Sequence, residues 1–266
     1  MMSPANEMSG IADSGHPSAS RIYDYLLGGN HNFEVDREAA KKVVEIAPFF
    51  PQMFRLIRWF LGEATHRLCD EGFTRFIDFA SGLPTVDHIH QVAPKGTKVI
   101  YSDLDPVTVA YAQEIIAEDS NVRYLQCDAA EPERLLNSKD VAELFGKDRK
   151  MAFGFNGIAW FLPDDAMARS LKVIYEWAEK GSKLFLCDND VPEMSEQSQK
   201  MVDLYENLQR LHIRSRDKVE ELIGPWTLLD PGFRPLEDWI DFDRKVTGQM
   251  SEAFGGSMIA GILVKE

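Results

Sequence analysis

Four short stretches of this chain hold residues whose types and spacing could do chemistry together: DFASGLPT (78–85), SDLD (102–105), CDAAEP (127–132) and FN (155–156). Asp78 closes an apolar run, and the turn after it carries Ala80, Ser81, Gly82, Pro84 and Thr85. A strand running into such a turn is a nucleotide-binding pattern, yet most of the expected glycines are missing. Ala80 stands where a dinucleotide fingerprint has its first glycine, and only Gly82 sits in the turn. A pyrophosphate needs several glycines, because the backbone must approach two phosphates closely. A ligand made of a nucleoside and an amino acid, without phosphate, asks for less. One close approach at Gly82 could suffice, with hydroxyls from Ser81 and Thr85 and free N–H groups at a helix opened by Pro84. S-adenosylmethionine is such a ligand. Asp103, followed by Leu104, ends the next apolar run about 20 residues beyond the turn, where a carboxylate can take both ribose hydroxyls. Asp128 could accept from the adenine amino group while Ala129 offers an N–H, and Asn156 closes the fourth run at the same end.

Transfer of a sulfonium methyl is an in-line displacement, and orientation can supply up to roughly 7–11 kcal/mol of the barrier. A base is needed only if the acceptor arrives protonated. His31 is the first candidate base, since it lies in the glycine-rich segment RIYDYLLGGNHNF (21–33) and can titrate near neutrality. Asp188, with Asp190 beside it, is the second. The same segment reads as a lid. Tyr23, Tyr25 and Phe33 offer aromatic faces to a sulfonium, worth about 0.5–2 kcal/mol. Gly29 would lie against the cofactor and Asn30 toward the acceptor, with Arg21 and Asp24 as an ion pair holding the lid. Trp160 and Phe161 could stack on the acceptor. Arg55 and Arg58 share a helix face and either hold an acidic acceptor or form a solvated surface; His88 and His90 read as helix-surface or capping residues. Each candidate also has an ordinary use: aromatics pack, and carboxylates at strand ends cap turns.

The elements that must position these residues alternate. Apolar runs at 76–80, 98–103, 122–127, 150–156 and 182–188 read as strands, with helical spacing at 84–92, 106–118, 132–145 and 164–181 between them. Asp105 suits the N-cap of the helix at 106. Two helices, 34–47 and 52–72, precede the first strand, with Pro48 and Pro51 as breakers. A helix at 193–211, a shorter one at 216–223 and strands at 226–230 and 257–265 follow. Strand–helix alternation implies an α/β fold with a mainly parallel sheet, whose ligands bind beyond the carboxyl ends of the strands.

With 266 residues and 44% hydrophobic side chains, the chain can bury a sizeable core. No run approaches the roughly 18 apolar residues of a membrane span. Against 29 basic side chains stand 43 acidic ones, a formal net charge of −14, which disfavours nucleic acid as the main partner. Cys69, Cys127 and Cys187 show no metal-ligand or redox spacing and read as buried free thiols in a reducing cytoplasm. No His/carboxylate cluster calls for a metal. Residues 1–20 read as a disordered tail, 21–73 as a lid with helices, and 74–266 as the cofactor-binding domain; the oligomeric state is open.

RIYDYLLGG, NF, DFASGLPT, YSDLDP, FLPDD and RSRDKVEELI, in this order, resemble a bacterial family of S-adenosylmethionine-dependent methyltransferases of largely unassigned substrate, first described as a domain of unknown function. The resemblance runs from about residue 20 to 264. It implies the class I methyltransferase (Rossmann-like) fold, a seven-stranded sheet with an antiparallel last strand, and S-adenosylmethionine lying over Gly82 and Asp103. The chain departs from the family's usual residues at Ala80 and Ser81 (glycine and threonine), at Asn30 and His31 (lysine and aspartate), at Trp160 and Asp188 (histidine at each) and at Ile57 (asparagine). Ala80 suits only a backbone that avoids positive φ. The leading expectation is methyl transfer to O, N or S of a small molecule. A cofactor-binding protein without transfer activity and an NAD-dependent oxidoreductase are the alternatives.

Overall fold

The structure, a computed structural model, describes residues 15–205, 210–240 and 255–266. Five apolar runs become parallel strands: β1 (Arg75–Asp78), β2 (Lys98–Asp103), β3 (Val122–Gln126), β4 (Ala152–Asn156) and β5 (Lys183–Asp190). The C-terminal strand β8 (Ser257–Val264) pairs antiparallel with β5. Two two-residue strands, β6 (Thr227–Leu228) and β7 (Arg234–Pro235), pair with β8 along its other edge. The sheet has eight strands in the order β3-β2-β1-β4-β5-β8-β6, with β7 also on β8. The expected seven positions are present, and the edge position is split in two by the turn through Pro231. The strand expected over 226–230 therefore shortens to Thr227–Leu228.

Strand order reverses between β1 and β4, which opens a crevice at the carboxyl ends of these strands. Phe76, Ile77, Phe153, Phe155, Leu184 and Phe185 are fully buried, as strands covered on both faces require. One apolar core lies on each face. The first joins α1 (Ala19–Leu26), α2 (Glu34–Ile46), α3 (Phe50–Asp70) and α5 (Pro106–Ile115) to the sheet. The second joins α6 (Pro132–Leu136), α7 (Lys139–Phe145), α8 (Asp164–Trp177) and α10 (Arg216–Leu222).

α3 forms because Phe50, Phe54, Ile57, Leu61, Ala64 and Leu68 recur at helical spacing and bury one stripe. Pro51 lies in its first turn, where a missing N–H is harmless, so it starts the helix instead of breaking it. Gly72, at φ +91°, ends it: Gly72 N–H bonds to the Cys69 carbonyl and Phe73 N–H to that of Leu68.

Among the described residues three helices precede β1, not two. Residues 1–14 of the expected tail lie outside the described residues; from Gly15 the chain leads directly into α1. Arg21 on α1 is buried and does not pair with Asp24. Its Nε meets Asp36 of α2 and its Nη1 meets Asp105, each at 2.8 Å. Asp105 is the N-cap of α5, accepting from the N–H groups of Val107 and Thr108. One guanidinium thus ties α1, α2 and α5 together, and removing it would strand the buried carboxylate of Asp36 at a cost of about 3–5 kcal/mol. The helix expected over 84–92 forms only at Ile89–Val92 (α4). Pro84 does not open it, since residues 81–85 run as a loop, with Thr85 N–H bonded to the Leu83 carbonyl, and His88 is its N-cap. The helix expected over 193–211 is described as α9 (Glu196–Tyr205); residues 206–209 lie outside the described set.

Candidate functional site

A cavity of about 580 Å³ opens at the carboxyl ends of the strands, roofed by residues 16–21 and the first half of α3. Its floor is laid by the strand tips. From β1 come Asp78, Ala80, Ser81 and Gly82; from β2, Asp103 and Leu104; from β3, Asp128 and Ala129; from β4, Asn156.

Ala80 has φ +50°, in the left-handed region that L side chains enter at about 1–2 kcal/mol. The expectation that this position avoids positive φ is overturned: the turn requires the bend whichever residue occupies it. Gly82 has φ +64° as well. Its N–H donates to Asp103 Oδ2 (3.2 Å) and its carbonyl accepts from Tyr124 OH (2.7 Å). The Ser81 hydroxyl is committed to the Asp78 carbonyl (2.8 Å).

Asp103 is buried, and burial raises its pKa. Besides Gly82 it accepts from Asp105 N–H at 2.9 Å and from the Ser20 hydroxyl at 2.8 Å. Ser20 thus holds α1 on the tip of β2. Asp128 is half-buried and accepts from Ala130 N–H at 2.8 Å.

Asp78 sits opposite Gly154 of β4, and a Cβ there would collide with its carboxylate. That glycine is what lets a carboxylate occupy the sheet interior. Burial pushes the Asp78 pKa up to about 7, against the pull of the Ser81 hydrogen bond and of Arg58. Among the described residues its Oδ1 has no hydrogen-bond partner, nor do Nε and Nη1 of Arg58 or Oδ1 of Asn156. Arg58 is 5% exposed, and its guanidinium stands 5.3 Å from the ring centre of Tyr23. The Tyr23 hydroxyl donates to the Phe54 carbonyl at 3.0 Å. Arg55, expected to share its face, is exposed and outside the lining.

The other half of the wall is apolar. Ile57 of α3 faces Gly157, Trp160 and Phe161 at the exit of β4, and Tyr205 of α9 and Met258 of β8 extend it. The 3-10 turn Ala159–Phe161 is held by Arg214, which donates to the carbonyls of Ala159 and Leu162 and pairs with Asp164 (2.8 Å) and Asp188 (3.2 Å).

Several expected residues stand apart from this lining. Asp188 lies fully buried behind it, its pKa pushed to about 7 by burial despite Arg214. His31 packs edge-on to Tyr111, at 6.2 Å between ring centres, outside the cavity lining. Tyr25, Gly29, Asn30, Pro84 and Thr85 are outside it too. A single carboxylate accounts for most of that group. Asp24, buried, accepts from His31 N–H (2.9 Å), Asn32 Nδ2 (3.0 Å) and the Thr85 hydroxyl (2.9 Å), and Gly29 has no Cβ because Asp24 fills the space. The turn of Gly28–Asn32 is shaped around Asp24 and docks onto the loop after β1. Sequence reasoning gave Asp24 a different role, as the partner of Arg21, and missed Arg214 and Gly154; of these two only Gly154, a glycine inside an apolar strand, carried a signal. Among the described residues no cluster of metal-ligating side chains forms, and no helix is long and apolar enough to cross a membrane.

A parallel sheet with this order, an antiparallel strand beside β5 and a carboxylate at the tip of β2 define a class I methyltransferase fold. The family model of the S-adenosyl methyltransferases matches residues 5–265, and the chain belongs to that family of S-adenosylmethionine-dependent enzymes. A crystal structure of a candidate methyltransferase from Thermobifida fusca YX superposes with TM-score 0.85 at 28% identity, covering 96% of this chain and 97% of that one. A DUF574 family protein from Streptomyces avermitilis MA-4680 gives the same TM-score at 22% identity, covering 96% and 99%. Magnesium protoporphyrin IX methyltransferase from Synechocystis PCC 6803, solved with bound S-adenosylhomocysteine, shares the fold at TM-score 0.53 and 12% identity, covering 92% and 93%. Among curated proteins none matches the chain.

Proposed function

We propose that the chain methylates a small molecule, with S-adenosylmethionine spread along the tips of β3, β2 and β1. The observation that carries this reading is the set of buried polar atoms without partners at the β1 and β4 tips. Asp78 Oδ1 and Asn156 Oδ1 on the floor are acceptors, and Arg58 Nε and Nη1 on α3 above them are donors, all lining one cavity. Orphaned buried groups of opposite charge are the complement of a zwitterion, and leaving them unmet costs about 1–3 kcal/mol each. Arg58 would hold the amino-acid carboxylate, and Asp78 with Asn156 the ammonium. Asp103 would take the ribose hydroxyls, with Ser20 yielding or sharing its place, and Asp128 with Ala129 the adenine edge. When bound, the cofactor supplies an electrophilic methyl on a positively charged sulfur.

The protein's own part is positional. Burial of Asp78, Asp103 and Arg58 keeps water from competing for their hydrogen bonds. The Tyr23 ring closes the roof near Arg58, and Trp160 and Phe161 form the wall for the acceptor. His31 and Asp188 stand outside the lining, so base catalysis by either would need a rearrangement; orientation on the apolar wall suffices for a nucleophile that needs no prior deprotonation. The test is calorimetry with S-adenosylhomocysteine and NAD side by side, followed by S-adenosylmethionine with a metabolite extract and a search for methylated product. One-to-one binding of the homocysteine nucleoside, no NAD binding and a methylated product are expected. Binding without any product would point to a cofactor-binding protein that has lost transfer, and NAD binding alone to an oxidoreductase.

A further inference from the structure

The apolar half of the cavity carries information about the acceptor. Its wall is built from Ile57, Trp160, Phe161, Tyr205, Ile213 and Met258, brought together from five separate segments. The rings adjoin one another at tilted angles, 58° between Trp160 and Phe161 and 37° between Phe161 and Tyr205. Trp160 and Phe161 have centres 6.0 Å apart, and Phe161 and Tyr205 6.4 Å. Gly157 takes the left-handed bend at φ +82° that brings the chain out of β4, and the Trp160 ring and Ile57 pack beside it.

Among the described residues, three carboxylates at the exits of β4 and β5 beside this wall are held in ion pairs. Asp188 and Asp164 pair with Arg214, and Asp190 pairs with Arg216. Asn189 lines the cavity but is spent: its amide donates to Asp188 and to the His212 carbonyl, and its oxygen accepts from Arg214 N–H. Burying an ionised group without a partner is strongly unfavourable. The groups that could meet one, Arg58 and Asp78, are taken by the cofactor in the reading above.

We infer that the acceptor is an uncharged small molecule with a flat, apolar, ring-bearing body, seated on Trp160 and Phe161; this rests on the cofactor assignment. The inference is tested on the full chain saturated with S-adenosylhomocysteine, by titrating 2-naphthol, 2-naphthoate and 2-naphthyltrimethylammonium and following Trp fluorescence and calorimetric heat. 2-Naphthol binds, and both charged analogues bind at least about tenfold more weakly. Ile213→Glu weakens 2-naphthol at least about tenfold, while affinity for S-adenosylhomocysteine stays within about twofold. Trp160→Ala, which introduces no charge, weakens it in the same direction by loss of stacking. A charged analogue binding as tightly as 2-naphthol, no binding of 2-naphthol up to its solubility limit, or indifference to both substitutions would overturn the inference. Should S-adenosylhomocysteine itself not bind, the cofactor assignment fails separately, and the ring series on the free chain still decides the character of this wall.

Discussion

At the β1–β3 end of the cavity four carboxylates, Asp78, Asp103, Asp105 and Asp128, gather at the strand tips with Arg21 of α1 and Arg58 of α3; at the β4–β8 end the wall is rings and aliphatic side chains from distant segments. The two ends are also held differently. Asp103 is fixed by backbone N–H groups of Gly82 and Asp105, within the strand-tip loops themselves. Trp160 and Phe161 are fixed by Arg214, which lies beyond α9 in sequence and reaches back to two carbonyls of their turn. The polar end is local chemistry repeated at successive strand tips, and the apolar end is long-range packing. The first suits a constant ligand and the second a variable one.

The comparison is broken most severely at Asp103. Replacing it by alanine removes two charge-assisted hydrogen bonds of about 1.5–3 kcal/mol each, and weakens S-adenosylhomocysteine by about 100-fold or more. Trp160→Ala, at the other end, leaves that affinity within about twofold. Equal losses from the two substitutions would mean that the ends are not separate.

A pH series sharpens the polar end. With its pKa raised to about 7, Asp78 is protonated below neutrality in the free protein. If the carboxylate form holds the ammonium, affinity for S-adenosylhomocysteine is level above about pH 7 and falls by up to about tenfold per unit below it. Asp78→Asn removes that slope. Stability of the free protein runs the other way. Asp78 and Asp188 bind protons more strongly folded than unfolded, so their contribution is greatest below the ordinary carboxylate pKa and is lost as pH rises toward about 7. Thermal melts across that range check it.

The smallest effect is at Ala80. Glycine there relieves about 1–2 kcal/mol of left-handed backbone cost. It adds about 0.5–1 kcal/mol of chain entropy to the unfolded state. Ala80→Gly therefore raises the melting temperature by a few degrees at most, about 2 °C, with cofactor affinity unchanged.

Much of the polar end was legible in the sequence, because its residues sit within a few positions of strand ends that apolar runs reveal. Asp103, Gly82 and Asp128 are examples, and Asp105 as N-cap follows the same local rule. Tyr23 lines the cavity as expected, but the turn at residues 29–32 could not be placed from the sequence because its meaning is tertiary. Gly29, Asn32 and Thr85 have in common only that all three touch Asp24, and nothing in their spacing says so. Arg58 looked like one of a surface pair with Arg55, since helical spacing shows which residues share a face but not where a neighbouring helix covers it. Here Tyr23 on α1 covers Arg58 and leaves Arg55 in solvent. Pro84 failed for a local reason: Gly82 and the turning loop after it delay the helix until His88 can cap it.

The central claim is that Arg58 and Asp78 await the two charges of the cofactor's amino-acid end. Calorimetry of Arg58→Met with S-adenosylhomocysteine and with adenosine, beside the unaltered chain, tests it most directly. The account predicts a loss of about 10–100-fold for the full ligand, from one or two charge-assisted hydrogen bonds, and none beyond about twofold for adenosine. It also predicts a higher melting temperature for the free variant, since an unpaired buried cation has been removed. Equal losses for both ligands, or no loss for either, would contradict it.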